Sequence, residues 1–576
     1  MTQNDDRPAD LILRNANVIT VDEGLPRAAA LAIRAGRLVA VGSESDASAF
    51  AGPQTKVVDL GGRTIIPGLI DNHTHALIAG AFLTGIGVQL AGVSSVEEIV
   101  TRVAERAKTT PPGEWIMTTA MPRVALEEGR MPNRWDLDRA TVDHPVFVAQ
   151  SGRNIIVNSL ALGMAGIDRD TPDPTGIPDG AEGRIVRDEN GEPTGHLIAG
   201  GGDVGKAQWW KLMGKPPRLF GFPHLGFDDA VRAIKLQMLE FNSVGITSFR
   251  DLGATEEEID AYAHVASTGT ATCRTEVTIG LPANYLTKDE IAPTLDRYER
   301  LHGLVIDDWM RIAGVKVIIQ SDGWQSVSAD KAQYIVLEAN KRGWDLAFHA
   351  GSGDTDEVNS LLVEILELAN KERDITTRRF SWEHGLGLFD PDLIRRIADL
   401  GVIISCQPTL SSAAAARTVS MGAEMDKLGL VKPGAVHKSE GFQRVIEEWG
   451  LPIKSWSDAG ITVTLGSDWP ASRPTIDNPL AQLDFACTQI SSVGLLQPEE
   501  VVPLDSALRM ATINGAYSMR VEDQIGSLAV GKLADLVVLD TDPYEVEAEG
   551  LSSVRVLATM VDGNVVFQAP NFELDM

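Results

Sequence analysis

Of the chain's ten histidines, two make the sharpest chemical signal, in Asp71-Asn72-His73-Thr74-His75 directly after Ile65-Ile66-Pro67-Gly68-Leu69-Ile70. Alternate side chains of a strand share a face, so His73 and His75 point the same way. Two imidazoles one residue apart at a strand end can hold one cation together; the other reading of an isolated His-x-His is a pair of solvated loop histidines. Four further residues fall at or near the ends of later apolar runs: Lys316 in Gly-Val-Lys-Val-Ile-Ile, His349 after Leu-Ala-Phe, His384 after Phe-Ser-Trp-Glu, and Asp468 after Val-Thr-Leu-Gly-Ser. An ammonium at Lys316 is costly to bury unpaired. It is either a salt-bridge partner or an amine that CO2 converts to a carbamate, an anionic oxygen ligand able to bridge two divalent ions. Each residue alone reads as a hydrogen-bonded core group. Together, several imidazoles and carboxylates compose a site for Zn2+ or a similar borderline ion.

These side chains need a frame that gathers strand ends. Eight apolar runs qualify as central strands: Thr64–Ile70, Gly245–Arg250, Arg274–Ile279, Gly314–Ile319, Leu346–His349, Arg379–Trp382, Gly401–Cys406 and Ile461–Leu465. Helical patterns separate most of them, for example Asp228–Ser243 and Asp354–Glu372. Non-alternating strands that alternate with helices indicate a parallel sheet. Eight such units predict an α/β protein with a (β/α)8 TIM-like barrel, whose C-terminal strand rim is where catalytic groups gather.

Both termini read differently. Leu11–Thr20, Ala29–Ile33, Arg37–Val41 and Thr55–Leu60 are short runs with Gly36, Gly42, Gly61 and Gly62 between them, and are expected to be small antiparallel strands. Ala534–Leu539 is a continuous apolar strand, and Asp562-Gly563-Asn564 between Val554–Val561 and Val565–Gln568 signals a hairpin. The expected organisation is a small β-sandwich from residues 1–66 and 524–576, a barrel from 67–94 and 226–523, and an α+β subdomain inserted at 95–225 over the barrel mouth. The insertion carries Val146–Gln150 and a hairpin at Gly183–Glu192.

Composition narrows the partners. A net charge of -29 repels phosphate backbones and anionic membranes, so neither nucleic acid nor a membrane is expected. Cys273, Cys406 and Cys487 are odd in number and far apart, which points to a reducing compartment. The polar start MTQNDDRPADL lacks a signal-peptide plan and no apolar run approaches a bilayer span, so the cytoplasm is the expectation. A small molecule is the expected partner, and a homo-oligomer is compatible with everything read here.

The order strand–His-x-His, strand–Lys, strand–His, strand–His, strand–Asp resembles the amidohydrolase superfamily, and more narrowly its amidohydrolase-3 branch, which includes N-substituted formamide deformylases. The matching segments are Thr64–His75, Gly245–Gly253, Gly314–Lys316, Phe348-His349-Ala350, Glu383-His384, Val463–Asp468 and Ile525–Leu539. The resemblance implies one or two divalent ions, most often zinc. It implies His73, His75 and Asp468 on the more buried ion, His349 and His384 on the more exposed one, and a carboxylated Lys316 bridging them. A divalent ion brings the pKa of water from 15.7 to about 7. Asp468 and His384 are the implied catalytic residues, with Asp468 taking a proton from the attacking water and returning it to the leaving nitrogen. The implied reaction is hydrolysis of a non-peptide C–N bond in an amide, formamide or cyclic amide. Ester or lactone hydrolysis at the same site is the alternative, with a non-catalytic binding protein on the same fold as a third reading.

Two departures bear on substrate. Relatives commonly read Asp-Gly-His where this chain has Ser151-Gly152-Arg153, placing a permanent cation that either meets an electron-rich substrate or pairs with an acid. His349-Ala-Gly-Ser-Gly-Asp354 lacks the arginine usual in relatives. Trp324, Trp469, Trp382 and Trp209-Trp210 near the expected mouth suit an apolar or aromatic amide, with Trp382 also readable as barrel packing. Gln407 and Arg473 are candidates for polar substrate contacts or for loop hydrogen bonding.

Overall fold

The computed structural model describes residues 7–90, 92–118, 126–149, 154–173, 184–198, 225–283, 286–321, 324–325, 327–350, 355–412, 450–470, 478–491, 494–572 and 574. Its centre is a sheet of eight parallel strands: β1 (Leu69–Thr74), β2 (Ile246–Ala254), β3 (Arg274–Gly280), β4 (Met310–Ile318), β5 (Asp345–His349), β6 (Ser381–Glu383), β7 (Ile403–Cys406) and β8 (Val463–Leu465). Each pairs with the next in chain order. The ends of the sheet meet just beyond β8, where the Asp468 N–H donates to His73 O at 2.7 Å and the His75 N–H to Trp469 O at 2.8 Å. The expected barrel is the observed one.

One expected strand divides. Thr64–Ile70 breaks at Gly68, where a Cβ would collide with the Thr247 side chain. Thr64–Pro67 pairs with Leu536–Leu539, and only Leu69 onward enters the barrel. Leu11–Thr20 divides as well: Asn15 adopts φ +49° and sends Leu11–Arg14 and Asn17–Ile19 into different sheets. Nor are the terminal strands uniformly antiparallel, since Leu11–Arg14 runs parallel to Lys56–Asp59 and Asn17–Ile19 parallel to Thr64–Pro67.

The two terminal sheets pack face to face over Leu13, Leu31, Ile33, Val58, Ile65, Leu536, Val538 and Met560. The opposite face of the larger one, with Ile66, Val537 and Leu539, joins the barrel's outer core. Burial on both faces explains why Leu536–Leu539 is apolar without alternation. The hairpin turn forms as expected, with Asp562 and Gly563 both at positive φ. Between β1 and β2, five strands make a separate sheet with its own apolar clusters, including the expected hairpin of Arg184–Arg187 and Pro193–Ile198. Among the described residues no helix is long and apolar enough to cross a membrane.

Candidate metal centre

The locking of β1 to the turn after β8 builds half of the site. The buried carboxylate of Asp71 accepts from the Ser467 N–H at 2.9 Å and the Ser467 hydroxyl at 2.6 Å, and Asn72 donates to Thr464 at 2.7 Å. Gly466 lies so near β1 that a Cβ there would stand 2.6 Å from the His73 nitrogen. The result is Asp468 Oδ1 at 3.1 Å from His75 Nε2 and 3.4 Å from His73 Nε2. His75 also begins the helix Ala76–Leu83 without capping it through its own side chain, and Asp251 of β2 supplies the missing acceptor to the Leu77 N–H at 3.1 Å.

Neighbouring β5 and β6 build the other half. His349 is in register with Glu383, and the His384 N–H is held by Ser405 O at 2.7 Å. His384 Nε2 then lies 2.8 Å from His349 Nδ1, and the His384 ring centroid is 4.8 Å from that of His73. His384 and Asp468 both hold positive φ, +76° and +52°. That backbone is unfavourable for residues with a Cβ and concentrates where function requires it. Ligand atoms of His73, His384 and Asp468 all lie within 4.8 Å of one another.

Lys316 of β4 is fully buried, and its Nζ has no hydrogen-bond partner among the described residues. Burial pulls its amine down to about 8, partly offset by the charges of Glu383 and Asp468. Burial, with the neighbouring His73, brings His384 to about 3, and burial also holds His349 well below the usual imidazole range. For His73, burial and Lys316 oppose protonation, but Glu383 and Asp468 outweigh them and raise it. Burial disfavours the Asp468 carboxylate, yet His73 and His75 keep it well below the ordinary range.

These atoms fit a cation. His73 Nδ1 stands 2.7 Å from Glu383 Oε2, and with that carboxylate as acceptor Nδ1 carries the hydrogen. Nε2 then turns its lone pair toward Asp468 Oδ1, 3.4 Å away, so two acceptors face each other unless a proton or metal ion lies between. His384 Nδ1 is also without a partner among the described residues. Imidazole nitrogens with a carboxylate suit zinc and similar borderline ions.

Beyond the six residues of the cluster, the picture is mixed. Gln407 is buried beyond β7; its amide donates to Ser405 O at 3.0 Å, and its Oε1 has no partner among the described residues. Trp469 is 4% exposed, packs in the barrel's outer core and donates its indole N–H to Gln237. Its exposure matches that of the neighbouring His75 and Asp468, 5% and 6%. Trp382 is buried and donates to Ala350 O at 3.1 Å, as packing requires. Trp324 stands in the short strand Trp324–Gln325. Arg153, Trp209, Trp210, Arg473 and residues 351–354 lie outside the described residues.

Sequence reasoning passed over Glu383 and Arg250. The signal for Glu383 was present: in Ser381-Trp382-Glu383, alternation puts Ser381 and Glu383 on one face of β6, beside the metal-ligand candidate His384.

Comparison with known proteins decides the family, because the Amidohydrolase family model matches residues 56–567. This chain belongs to the amidohydrolase family. N-substituted formamide deformylase of Arthrobacter pascens is 26% identical to it over 96% of this chain and 97% of that protein. Among solved structures, an uncharacterized metal-dependent hydrolase from Pyrococcus furiosus aligns with a TM-score of 0.65 at 22% identity, covering 93% of this chain and all of the other (100%). Zinc-complexed atrazine chlorohydrolase from Arthrobacter aurescens TC1 aligns with a TM-score of 0.52 at 18% identity, covering 96% and 94%. At those identities the two structures speak for the shared fold. The chain is a metal-dependent hydrolase of the amidohydrolase family.

Proposed function

We propose that this amidohydrolase cleaves a carbon–nitrogen bond other than a peptide bond in a small apolar or aromatic amide, formamide or cyclic amide. The carrying observation is the convergence of His73, His75, His384 and Asp468, with His349 beside them, on one end of the barrel. The formamide deformylase relative supports the choice of bond. In this reading His73, His75, His349, His384 and Asp468 would hold one or two divalent ions, zinc first among them. A bound divalent ion supplies acidified water and a polarised carbonyl.

The chain's own groups do the rest. Asp468, within 3.1 Å of His75 Nε2, accepts the proton of the attacking water and delivers it to the leaving nitrogen. His384, neutral because it is buried, directs a nitrogen lone pair into the site. Lys316 is proposed to react with CO2: a nitrogen–carbon bond forms, the amine loses a proton, and an anionic carbamate replaces a buried amine that has no hydrogen-bond partner among the described residues. The orphaned Gln407 oxygen is a candidate acceptor for a substrate N–H. The inserted sheet between β1 and β2 is proposed to close over the mouth and contribute Arg153.

The test is metal analysis of the purified protein together with turnover of formanilides, N-acyl amines and lactones. Amine release by zinc-replete protein is expected. Acid release from lactones alone, or turnover undiminished after the metal is stripped, would overturn the reading. Labelling with 13C-bicarbonate should give a carbamate resonance that disappears in Lys316→Met.

A further inference from the structure

Below the candidate ligands lies a buried polar layer that the reaction scheme leaves unused. The two oxygens of Glu383 are divided between different partners. Oε2 meets His73 Nδ1 at 2.7 Å, while Oε1 accepts from the Ser381 hydroxyl at 2.5 Å and lies 3.6 Å from a terminal nitrogen of Arg250. Arg250 comes from β2, on a different side of the barrel from β6, and that same nitrogen donates to the Ser381 hydroxyl at 3.4 Å. Its Nε is anchored on Glu276 of β3 at 2.8 Å. Arg250, Glu276, Ser381, Glu383 and His73 are all buried.

We propose that Arg250 is a positioning residue for the metal centre, acting through Glu383 to hold His73 as the Nδ1–H tautomer with the Nε2 lone pair facing Asp468. The proposal rests on the reading of His73 as a metal ligand. The reason is geometric. A glutamate carboxylate on three rotatable bonds can turn away from an imidazole, but one gripped at its second oxygen by a hydroxyl and a guanidinium cannot. Carboxylate or carbonyl partners of ligating histidines fix tautomer and ring orientation, and losing them typically costs 10–100-fold in metal affinity. Arg250 suits this role better than a lysine because its planar fork can serve Glu276 through Nε and the Ser381–Glu383 pair through a terminal nitrogen at once. The arrangement also survives the proposed carboxylation of Lys316, since a fixed cation still faces Glu383 when the Lys316 charge is reversed.

The test compares parent, Arg250→Met, Arg250→Lys and the double variant Arg250→Met with Glu276→Gln, each first checked for folding by circular dichroism. The double variant removes both charges of the ion pair, so it remains informative if Arg250→Met alone does not fold. Zinc affinity of the stripped proteins is measured by chelator competition, and the His73 ring nitrogens are followed by 15N NMR. The expected outcome is about a 10–100-fold loss of affinity in the methionine variants, partial recovery in Arg250→Lys, and loss of the His73 Nδ1–H signature whenever Arg250 is replaced by methionine. Folded methionine variants that bind zinc within twofold of the parent and keep that signature would overturn the proposal. A parent that binds no zinc yet loses the signature on substitution would sink the metal reading and leave the positioning role standing.

Discussion

The two ends of the barrel carry the same kinds of residue and treat them differently. At the N-terminal end of β5, Asp345 accepts from Arg378 at 2.9 Å and from Arg520 at 2.6 Å. Arg274, opening β3, grips both oxygens of Asp535 at 2.7 and 3.0 Å. At the C-terminal end of that same β5, His349 and His384 crowd to 2.8 Å while Lys316 Nζ and His384 Nδ1 have no partner among the described residues. Saturated pairs hold a structure together; a buried group left unsatisfied is destabilising and persists where a ligand or a reaction completes it. One end of the barrel joins it to the β-sandwich and the C-terminal helices through these ion pairs, although Trp344 Nε1 and Thr275 Oγ1 beside them also have no partner among the described residues, and the other end gathers the candidate metal ligands.

The contrast can be broken most forcefully at the C-terminal end. Asp468→Asn is expected to lower kcat/KM about 10^4-fold, the upper range for a lost acid–base group, with little change in melting temperature. A loss below tenfold would remove Asp468 from the chemistry. At the N-terminal end, Arg274→Ala leaves Asp535 buried without its cation. Urea unfolding should show a loss of about 3–5 kcal/mol, while zinc stoichiometry stays at the parent value. Equal damage to zinc binding would mean that the two ends are not separable.

A third test lies in the inserted sheet, where burial drives the His196 imidazole down to about 4 from its ordinary 6.5. Its folded-state value is depressed, so the unfolded chain binds the proton first. Stability is complete above about pH 6.5 and falls as pH drops toward 4, by roughly 3 kcal/mol at 1.36 kcal/mol per unit. His196→Gln should flatten that part of the pH–stability profile; an unchanged profile would refute the assignment. The smallest effect separates stability from function. In metal-stripped, CO2-free protein, Lys316→Met removes a buried amine that has no hydrogen-bond partner among the described residues and should raise stability by about 1–2 kcal/mol, while in the loaded protein it lowers turnover. A variant destabilised under those metal-free, CO2-free conditions would show that the Lys316 amine is paired.

Much of the frame was legible because parallel strands buried on both faces are apolar without alternation, and the spacing of such runs announces a barrel. His73, His75, His349, His384 and Asp468 could be found because each stands where such a run stops. Glu383 was harder: it stands at the end of β6 just before a more conspicuous histidine, and nothing local reveals that its second oxygen belongs to Ser381 and Arg250. The break at Gly68 was missed because the apolar pattern passes through it, whereas at Asn15 the polar Arg14-Asn15-Ala16-Asn17 already interrupts the run where the chain changes sheets. The place of Trp469 beside Asp468 was legible, but not its indole N–H contact with Gln237, which a distant helix supplies.

By itself, then, the amino-acid order determined the barrel, the terminal β layers and the identity of the residues at the strand ends, since hydrophobic periodicity and residue chemistry are local properties. Only the tertiary structure decided which of those groups are satisfied: that Asp345 is paired while Lys316 Nζ has no hydrogen-bond partner among the described residues, that Arg250 lies 3.6 Å from Glu383, and that His73 meets Glu383 through Nδ1 and faces Asp468 through Nε2. Satisfaction of a buried polar atom depends on partners contributed by distant strands, and a closed sheet brings those together at distances the linear order does not encode.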